Sequence, residues 1–153
     1  MPSDFIERQT NDLIRDVSAL GSLFSYALAT LIFLALGDFS SFKMLVAGGI
    51  LIYAAAWIIR AIFFKNRPVK FSYHNFIERL DAAAFPSLHA SRTGFLLLFF
   101  INYFANSALT VILLLLALSI LYSRVYLKKH DWKDVTAGAV LGVLIYSVLD
   151  LFL

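Results

Sequence analysis

The sequence predicts an all-α fold, a polytopic transmembrane helical bundle, and composition is the first observation behind this prediction. Of the 153 residues, 61% are hydrophobic and 15% are charged, and the mean hydropathy is +0.81. Soluble globular domains carry roughly 25% charged residues. The chain is therefore too apolar to fold in water, and we expect residues 1–153 to form a single membrane-integral domain.

The distribution of the apolar residues is the second observation, because they form about five runs. Each run is near the shorter end of the length that crosses a hydrocarbon core of about 30 Å. Lipid offers the backbone no hydrogen-bond partner, so the runs are expected to be helices. Short polar turns at 37–43 and 102–107 favour antiparallel neighbours. The predicted spans are Leu20–Leu36, Met44–Phe64, Ala90–Ala105, Ser107–Tyr122 and Val135–Leu153.

Two further segments are amphipathic but too short to span. The first, within residues 1–18, mixes acids and arginines with apolar residues, which predicts an interfacial helix ahead of a transmembrane bundle at 20–153. Its acidic opening is unlike the basic start of a signal peptide. The second places Tyr73, Phe76, Ile77 and Leu80 at helical spacing, with Lys70 among its polar residues. A plain interfacial helix is the simpler interpretation of this second segment, and a lid over a site is the alternative.

Three short motifs between residues 60 and 134 carry the candidate chemistry. They lie at or near the ends of predicted spans. Together they supply three guanidinium groups, two imidazoles and one carboxylate, the set needed to hold a phosphoryl group, attack it and protonate its leaving group. The motifs are Arg60-x6-Arg67-Pro68, Pro86-Ser87-Leu88-His89 and Ser123-Arg124-x5-His130-x3-Asp134.

The arginines are the candidate anion ligands. Arg60 and Arg67 are seven residues apart, so on a helix they would share a face, and Pro68 would help to end that helix. A single arginine at the end of an apolar span usually only extends its charged group to the membrane interface. Two arginines on one helix face cost more free energy to place in a membrane protein unless they bind an anion. Guanidinium groups suit phosphate because they donate two parallel hydrogen bonds. Arg124 adds a third such group.

The serine and the histidines suggest how that anion would be held and attacked. Ser87 is a candidate cap of the third span, and free backbone N–H groups just beyond it can bind phosphate. A simple cap is compatible with this role. A lone histidine in an apolar protein is more often structural, but His130 precedes Asp134 by four residues. If a helix begins early enough, that carboxylate can accept the Nδ1 proton of His130. Asp131 is the candidate cap of this helix.

Other functional classes fit less well. Two histidines and a carboxylate could ligate zinc or iron, but a metal hydrolase has little need of three arginines, because the cation itself would neutralise the phosphate. We therefore expect no metal and no cofactor. The absence of cysteine removes any thiolate nucleophile. Nucleic acid is not an expected partner, because the net charge is only +3 and the aromatic residues lie inside the apolar runs.

The three motifs resemble the signature of the type 2 phosphatidic acid phosphatase superfamily of membrane lipid phosphatases, which reads K-x6-RP, PSGH and SR-x5-H-x3-D. Arg60 stands where the family usually has Lys, and Leu88 where it usually has Gly. If that Gly is needed for a positive φ, Leu88 would strain the loop by about 1–2 kcal/mol; if only its N–H is needed, Leu88 costs little. Family members have six core helices with the first motif after the third span, whereas here it follows the second. Either the amphipathic helix replaces the first span or that span is lost.

The resemblance implies a metal-independent lipid phosphatase. It implies that His130 is the nucleophile that forms a phosphohistidine, that Asp134 orients it, and that His89 is the general acid and later the base. The implied substrates are phosphatidate, phosphatidylglycerol phosphate or polyprenyl diphosphates, met among membrane lipids. A phosphotransferase and a non-catalytic lipid-phosphate-binding protein are the alternatives. The implied phosphate ligands are Arg60, Arg67, Ser87, the Leu88 amide and Arg124.

The distribution of charge predicts which side of the membrane holds the motifs. With five spans, twelve of the thirteen Lys and Arg residues lie on the motif side, and only Lys43 lies opposite. Setting aside the three motif arginines leaves nine against one. Because cytoplasmic loops carry the excess of Lys and Arg, we expect a multi-pass cell-membrane protein with its site at the cytoplasmic face.

Overall fold

The computed structural model describes residues 2–69 and 74–153. Within these ranges it is helical, apart from turns and one isolated antiparallel bridge between Asn66 and Ala83. The all-α prediction is confirmed. The seven helices in the described ranges are α1 (Pro2–Ala19), α2 (Leu23–Ala35), α3 (Phe39–Ile62), α4 (Phe76–Ala82), α5 (Leu88–Phe104), α6 (Ser107–Tyr126) and α7 (Trp132–Leu149).

A helix lies at each of the five predicted spans, although they differ in length. In the described part of the chain, α3, α6 and α7 are long and apolar enough to cross a membrane unaided, with 24, 20 and 18 residues. α5 has 17 residues, which gives about 26 Å at about 1.5 Å per residue. α2 has only 13. It passes the same test only together with α1, as a pair bent by 45°. A helical membrane bundle is confirmed, with three or four spans by length and composition.

The break between α1 and α2 explains why α2 is shorter than its predicted span. Ser22 caps α2, with its Oγ accepting a hydrogen bond from the Ser25 N–H at 3.2 Å. Because the backbone of Ser22 is extended, the helix of α1 cannot continue through it, and a new helix begins at the next residue. Residues 20–22 therefore form a turn at the end of the bundle where the motifs lie.

α5 is the central helix, and its closest neighbour is α7. Glycines allow this approach, since an added Cβ at Gly142 would overlap the carbonyl oxygen of Ser91 and one at Gly138 would overlap that of Ser87. Two glycines four residues apart give a helix a flat face on which another backbone can pack closely. This contact matters for the site, because α5 begins with the second motif and α7 begins with the end of the third.

The core lies towards the end of the bundle away from the motifs and is largely aromatic. Phe33 of α2 meets Phe99 of α5 edge to face, with ring centroids 5.2 Å apart, and Phe95 meets Tyr146 of α7 in the same way at 5.5 Å. Edge-to-face pairs are favourable because the positive ring edge meets the negative face. These contacts fix α2, α5 and α7 relative to one another.

The second amphipathic segment is partly described. Tyr73 and Lys70, which belong to the predicted pattern, lie outside the described residues. From Phe76 onward the segment is the short helix α4, in which Phe76 and Ile77 are exposed and Leu80 is buried. An exposed apolar pair beside the motif end fits a helix at the membrane interface.

Candidate active site

Backbone hydrogen bonds bring the three motifs to one end of the bundle. The Ser87 N–H donates to the Asp134 carbonyl oxygen at 3.0 Å, and the Ala84 N–H donates to that of Lys65 at 2.8 Å. The start of α5 is thus tied to the first turn of α7 and to the chain that follows α3. The residues singled out in the sequence consequently lie around one region.

Arg60 is in the last turn of α3 and is almost fully buried, at 1% exposure. Its two terminal nitrogens donate to the carbonyl oxygens of Leu80 and Pro86, each at 2.9 Å. Its Nε is buried and without a hydrogen-bond partner. Arg60 therefore holds the segment that leads into the second motif, and it does not extend to the interface.

Arg67 lies in the loop that follows α3, which corrects the expected shared helix face. α3 ends at Ile62, because Phe63 has φ −125° and ψ 86° and the chain then pairs with the 83–84 segment. Pro68 is also beyond the helix and does not end it. Arg67 is half-buried and donates to the carbonyl oxygen of Asp81 at 2.6 Å. The two arginines reach the same region from a helix end and from a loop.

Arg124 is the buried cation of the third motif. Its side chain donates to the Ser18 hydroxyl of α1 at 2.8 Å, and its Nε is buried without a hydrogen-bond partner. Its carbonyl oxygen accepts from the Lys129 and His130 N–H groups at 3.1 and 3.3 Å. These bonds close the turn that carries His130. Ser18 was not singled out in the sequence, since nothing local distinguishes it from other serines.

Ser87 is the predicted cap of α5. Its buried Oγ accepts from the Ala90 N–H at 3.5 Å, a long contact, and Leu88 is the first residue of the helix. Leu88 therefore has a helical backbone conformation with negative φ. The strain expected for a left-handed residue does not arise, and the Leu88 N–H belongs to the first turn, where helix N–H groups have no intrahelical partner.

Asp134 is fully buried and already has several partners. It shares a capping box with Asp131, in which each side chain accepts from the other's N–H, at 3.0 and 3.2 Å. The Nζ of Lys65 lies 2.6 Å from a carboxylate oxygen of each. The capping role expected of Asp131 is present. Lys65 was missed, although it lies inside the first motif between its two arginines.

His130 lies beside Asp134 but not within hydrogen-bond distance of it. Its Nδ1 is 3.7 Å from Oδ2 of Asp134 and has no hydrogen-bond partner. A contact of this length is too long for a hydrogen bond. His130 and Asp134 are therefore neighbours, as expected, but they are not hydrogen-bonded. The Asp134 carboxylate is hydrogen-bonded instead to Lys65 and within the capping box.

The electrostatic setting of His130 favours its neutral form. Burial, and then the positive charges of Arg124, Arg67 and Arg60, lower the pKa of His130 to about 3. A histidine whose pKa lies well below neutral keeps a lone pair on one ring nitrogen at physiological pH. For Lys65, burial acts to lower the pKa, but the hydrogen bonds to Asp131 and Asp134 outweigh it and the pKa is raised. The lysine is thus charged beside two carboxylates.

His89 is the second residue of α5 and is half-buried. Its Nδ1 lies 3.2 Å from a terminal nitrogen of Arg92, one helical turn further on. Arg92 is buried at 4% exposure and also donates to the Gly21 carbonyl oxygen and the Tyr53 hydroxyl. Arg92 was not singled out, yet a signal was available, because a charged residue inside an apolar span marks a functional position by default.

A family comparison identifies the superfamily of the chain. The model of the PAP2 superfamily matches residues 63–150, which is more than half of the sequence. The chain belongs to the PAP2 superfamily. This is the type 2 phosphatidic acid phosphatase superfamily that the motifs resemble, and membership indicates phosphatase activity in general. The match includes the second and third motifs and Arg67, whereas Arg60 precedes it.

The fold of this PAP2 protein is similar to that of a solved structure, the crystal structure of Aquifex aeolicus LpxE. The TM-score is 0.77 at 18% sequence identity, and the alignment covers 94% of this chain and 87% of that chain. At this identity the similarity shows the fold. Because nearly the whole chain aligns, it includes the amino-terminal helices that lie outside the family match.

The site of this PAP2 protein is rich in cations and poor in free carboxylates. In the described ranges, no three His, Cys, Asp or Glu side chains come together as a possible metal site. Arg60, Arg67 and Arg124 all act electrostatically on His130, and Arg124 and His130 act on His89. Positive groups around two imidazoles suit a phosphoryl group, whose transferred oxygens carry the charge that must be stabilised.

Proposed function

We propose that this PAP2 protein is a metal-independent lipid phosphatase that works through a phosphohistidine on His130. The observation that carries the proposal is a set of buried nitrogens at one end of the bundle, the Nε atoms of Arg60 and Arg124 and the Nδ1 of His130, none of which has a hydrogen-bond partner. A buried polar group left without a partner costs about 1–3 kcal/mol. A bound phosphate would offset this cost at the arginines.

The proposed first step is attack by the neutral His130 ring. Its Nε2 lone pair forms a bond to phosphorus, the bond from phosphorus to the leaving oxygen breaks, and His89 serves that oxygen as hydrogen-bond or proton donor. The ring then bears a positive charge. Because a charged donor makes a stronger hydrogen bond to a carboxylate, we expect the Nδ1–H of His130 to move from its 3.7 Å separation into hydrogen-bond distance of Asp134. Arg60, Arg67, Arg124 and the first N–H groups of α5 hold the phosphoryl oxygens.

The second step returns the enzyme to its starting state. Water attacks phosphorus, and the bond to His130 breaks with its electron pair on Nε2. Where His89 only donated a hydrogen bond in the first step, both water protons leave with the product as dihydrogen phosphate. Where His89 gave up a proton, it takes one water proton back as the base, and the product is hydrogen phosphate. The substrates that fit an apolar bundle with its site at one end are lipid phosphates or diphosphates. Phosphatidate, phosphatidylglycerol phosphate and polyprenyl diphosphates are the candidates.

The test is release of inorganic phosphate from a panel of these lipids by the purified protein in detergent. We expect hydrolysis to persist in excess chelator and to be inhibited by vanadate, because arginines supply the positive charge and vanadate resembles the five-coordinate phosphorus at His130. Loss of activity in chelator, restored by a divalent ion, would contradict the mechanism. Transfer of phosphate to an added lipid would identify a phosphotransferase, and binding without turnover a non-catalytic protein.

We further propose that the site faces the cytoplasm, on the basis of the charge distribution. The chain has no cysteine, so single cysteines can report sidedness. Ser40 is an exposed residue in the first turn of α3, and His74 is an exposed residue that follows the other end of α3 in the chain. In intact cells, an impermeant thiol reagent should label Ser40→Cys but not His74→Cys, and after lysis it should label both. The reverse pattern in intact cells would place the site on the outer face.

A further inference from the structure

Three different parts of the fold fix the side chain of Arg92. Its Nε donates to the Gly21 carbonyl oxygen at 3.2 Å, in the turn between α1 and α2, and one terminal nitrogen donates to the Tyr53 hydroxyl of α3 at 2.9 Å. The other terminal nitrogen lies 3.2 Å from Nδ1 of His89. With 4% of the residue exposed, the guanidinium has little room to turn away.

This contact dictates where His89 carries its proton. A guanidinium has only donors and is not deprotonated in proteins. The Nδ1 of His89 must therefore be the acceptor, and a neutral ring then has its proton on Nε2. A second proton could enter only at Nδ1, directly against the positive Arg92. While the contact lasts, His89 is a neutral donor through Nε2–H and is not an imidazolium.

We propose that Arg92 is a positioning residue that holds His89 in this form and makes the site selective for lipid diphosphates over lipid monophosphates. The inference rests on the proposed function, in which His89 serves the leaving oxygen. The inference specifies which leaving groups the site can release. It also gives a role to Arg92, a buried cation that belongs to none of the three motifs.

The diphosphate reaction balances without a proton from His89. The Nε2 lone pair of neutral His130 bonds to the terminal phosphorus, the bridging P–O bond breaks, and its electron pair leaves on a lipid monophosphate. A phosphate monoester has its second pKa near about 6, so its dianion is a stable product at neutral pH. The Nε2–H of His89 needs only to donate a hydrogen bond to that oxygen.

Hydrolysis of a lipid monophosphate, in contrast, requires an acid that protonates the leaving oxygen. The electron pair would leave on an alkoxide, which is about as basic as hydroxide, the conjugate base of water with its pKa of about 15.7. Such an oxygen needs a full proton in the transition state. An imidazolium can supply it, but a neutral ring whose Nδ1 faces Arg92 cannot. Proton transfer by a positioned acid typically accelerates a reaction by about 10²–10⁴-fold. Without that proton transfer, hydrolysis of the lipid monophosphate should be slower by a factor of this size.

The first measurement uses the unmodified protein with a polyprenyl diphosphate and the monophosphate of the same chain. We expect kcat/KM to be about 100-fold or more higher for the diphosphate. Nitrogen-15 spectra of histidine-labelled protein at neutral pH, assigned with His89→Gln, should show the proton of His89 on Nε2. Equal rates on the two substrates, or a proton on Nδ1, would overturn the inference.

The second measurement removes the constraint. Arg92→Met keeps an unbranched side chain but has no donor and no charge, so the diphosphate preference should fall by about tenfold or more as His89 becomes able to take a second proton. Tyr53→Phe removes one of the bonds that hold Arg92 and should shift the preference in the same direction by a smaller factor, and it also serves if Arg92→Met does not fold. Arg15→Met, at an exposed arginine of α1, should leave the preference unchanged.

The outcomes separate this inference from the proposed function. If no lipid phosphate of either kind is hydrolysed, the proposed function fails. If both are hydrolysed and Arg92→Met and Tyr53→Phe slow them by the same factor, the proposed function stands and the role of Arg92 is refuted.

Discussion

Replacing His130 by alanine should abolish turnover of every substrate, whereas His89→Ala should slow turnover by an amount that depends on the leaving group. A nucleophile is needed whatever departs, so we expect His130→Ala to lower kcat by about 10⁴-fold or more. A group that serves the departing oxygen matters less as that oxygen becomes less basic. The loss in His89→Ala should therefore be smaller for an aryl phosphate than for a lipid phosphate.

The measurement is kcat for both variants on an aryl phosphate and on a lipid phosphate with the same detergent. His74→Ala is the matched control, because this third histidine is exposed on the segment before α4 and does not belong to any of the three motifs. Trapping a phosphorylated protein with labelled substrate in His89→Ala, but not in His130→Ala, would assign the nucleophile directly. Equal and mild effects of both substitutions would refute both assignments.

Local sequence signals were enough to predict the helices and the caps. Ser87 begins α5, and Asp131 begins α7, because short polar side chains at these positions can accept from the N–H groups of a first turn. The five apolar runs coincide with helices, since lipid leaves the backbone no alternative. These features depend on residues within a few positions of each other.

The parts of the site that the sequence did not reveal depend on residues far apart in the chain. Arg92 meets Gly21 across 71 positions, and Arg124 meets Ser18 across 106. No periodicity reports such contacts, because they follow from how helices pack and not from the pattern along one helix. The partners of a buried arginine can therefore be found only in the folded chain, even where its charge already marks it as unusual.

The end of α3 shows the same limitation at shorter range. The apolar run continues to Phe64 in the sequence, but α3 ends at Ile62. The cause is the segment at 83–84, which pairs with residues 65–66 and draws the chain out of the helix. Lys65 consequently points to Asp131 and Asp134 from a loop. The spacing of the first motif identifies Arg60 and Arg67 as candidate site residues, but the chain that carries Arg67 is a loop and not the predicted helix.

The packing of α7 on α5 should be the most sensitive point of the fold. A methyl group at Gly142 would overlap the carbonyl oxygen of Ser91, a backbone atom of α5 that no side-chain rotation can move. Overpacking of this kind costs typically about 1–3 kcal/mol and occasionally more. We expect Gly142→Ala to reduce the amount of monodisperse protein in detergent, and Gly142→Leu to prevent its recovery.

The control for this prediction is Val140→Leu, two residues earlier on α7, where the side chain is half exposed on the outer face of the bundle. It enlarges a residue on the same helix without approaching α5, so protein yield and activity should be unchanged. Because α5 presents His89 and α7 presents Asp134, any Gly142→Ala protein that is recovered should also lose phosphatase activity as the two helices separate. A Gly142→Ala protein as stable and active as the unmodified one would show that the two helices do not pack this closely.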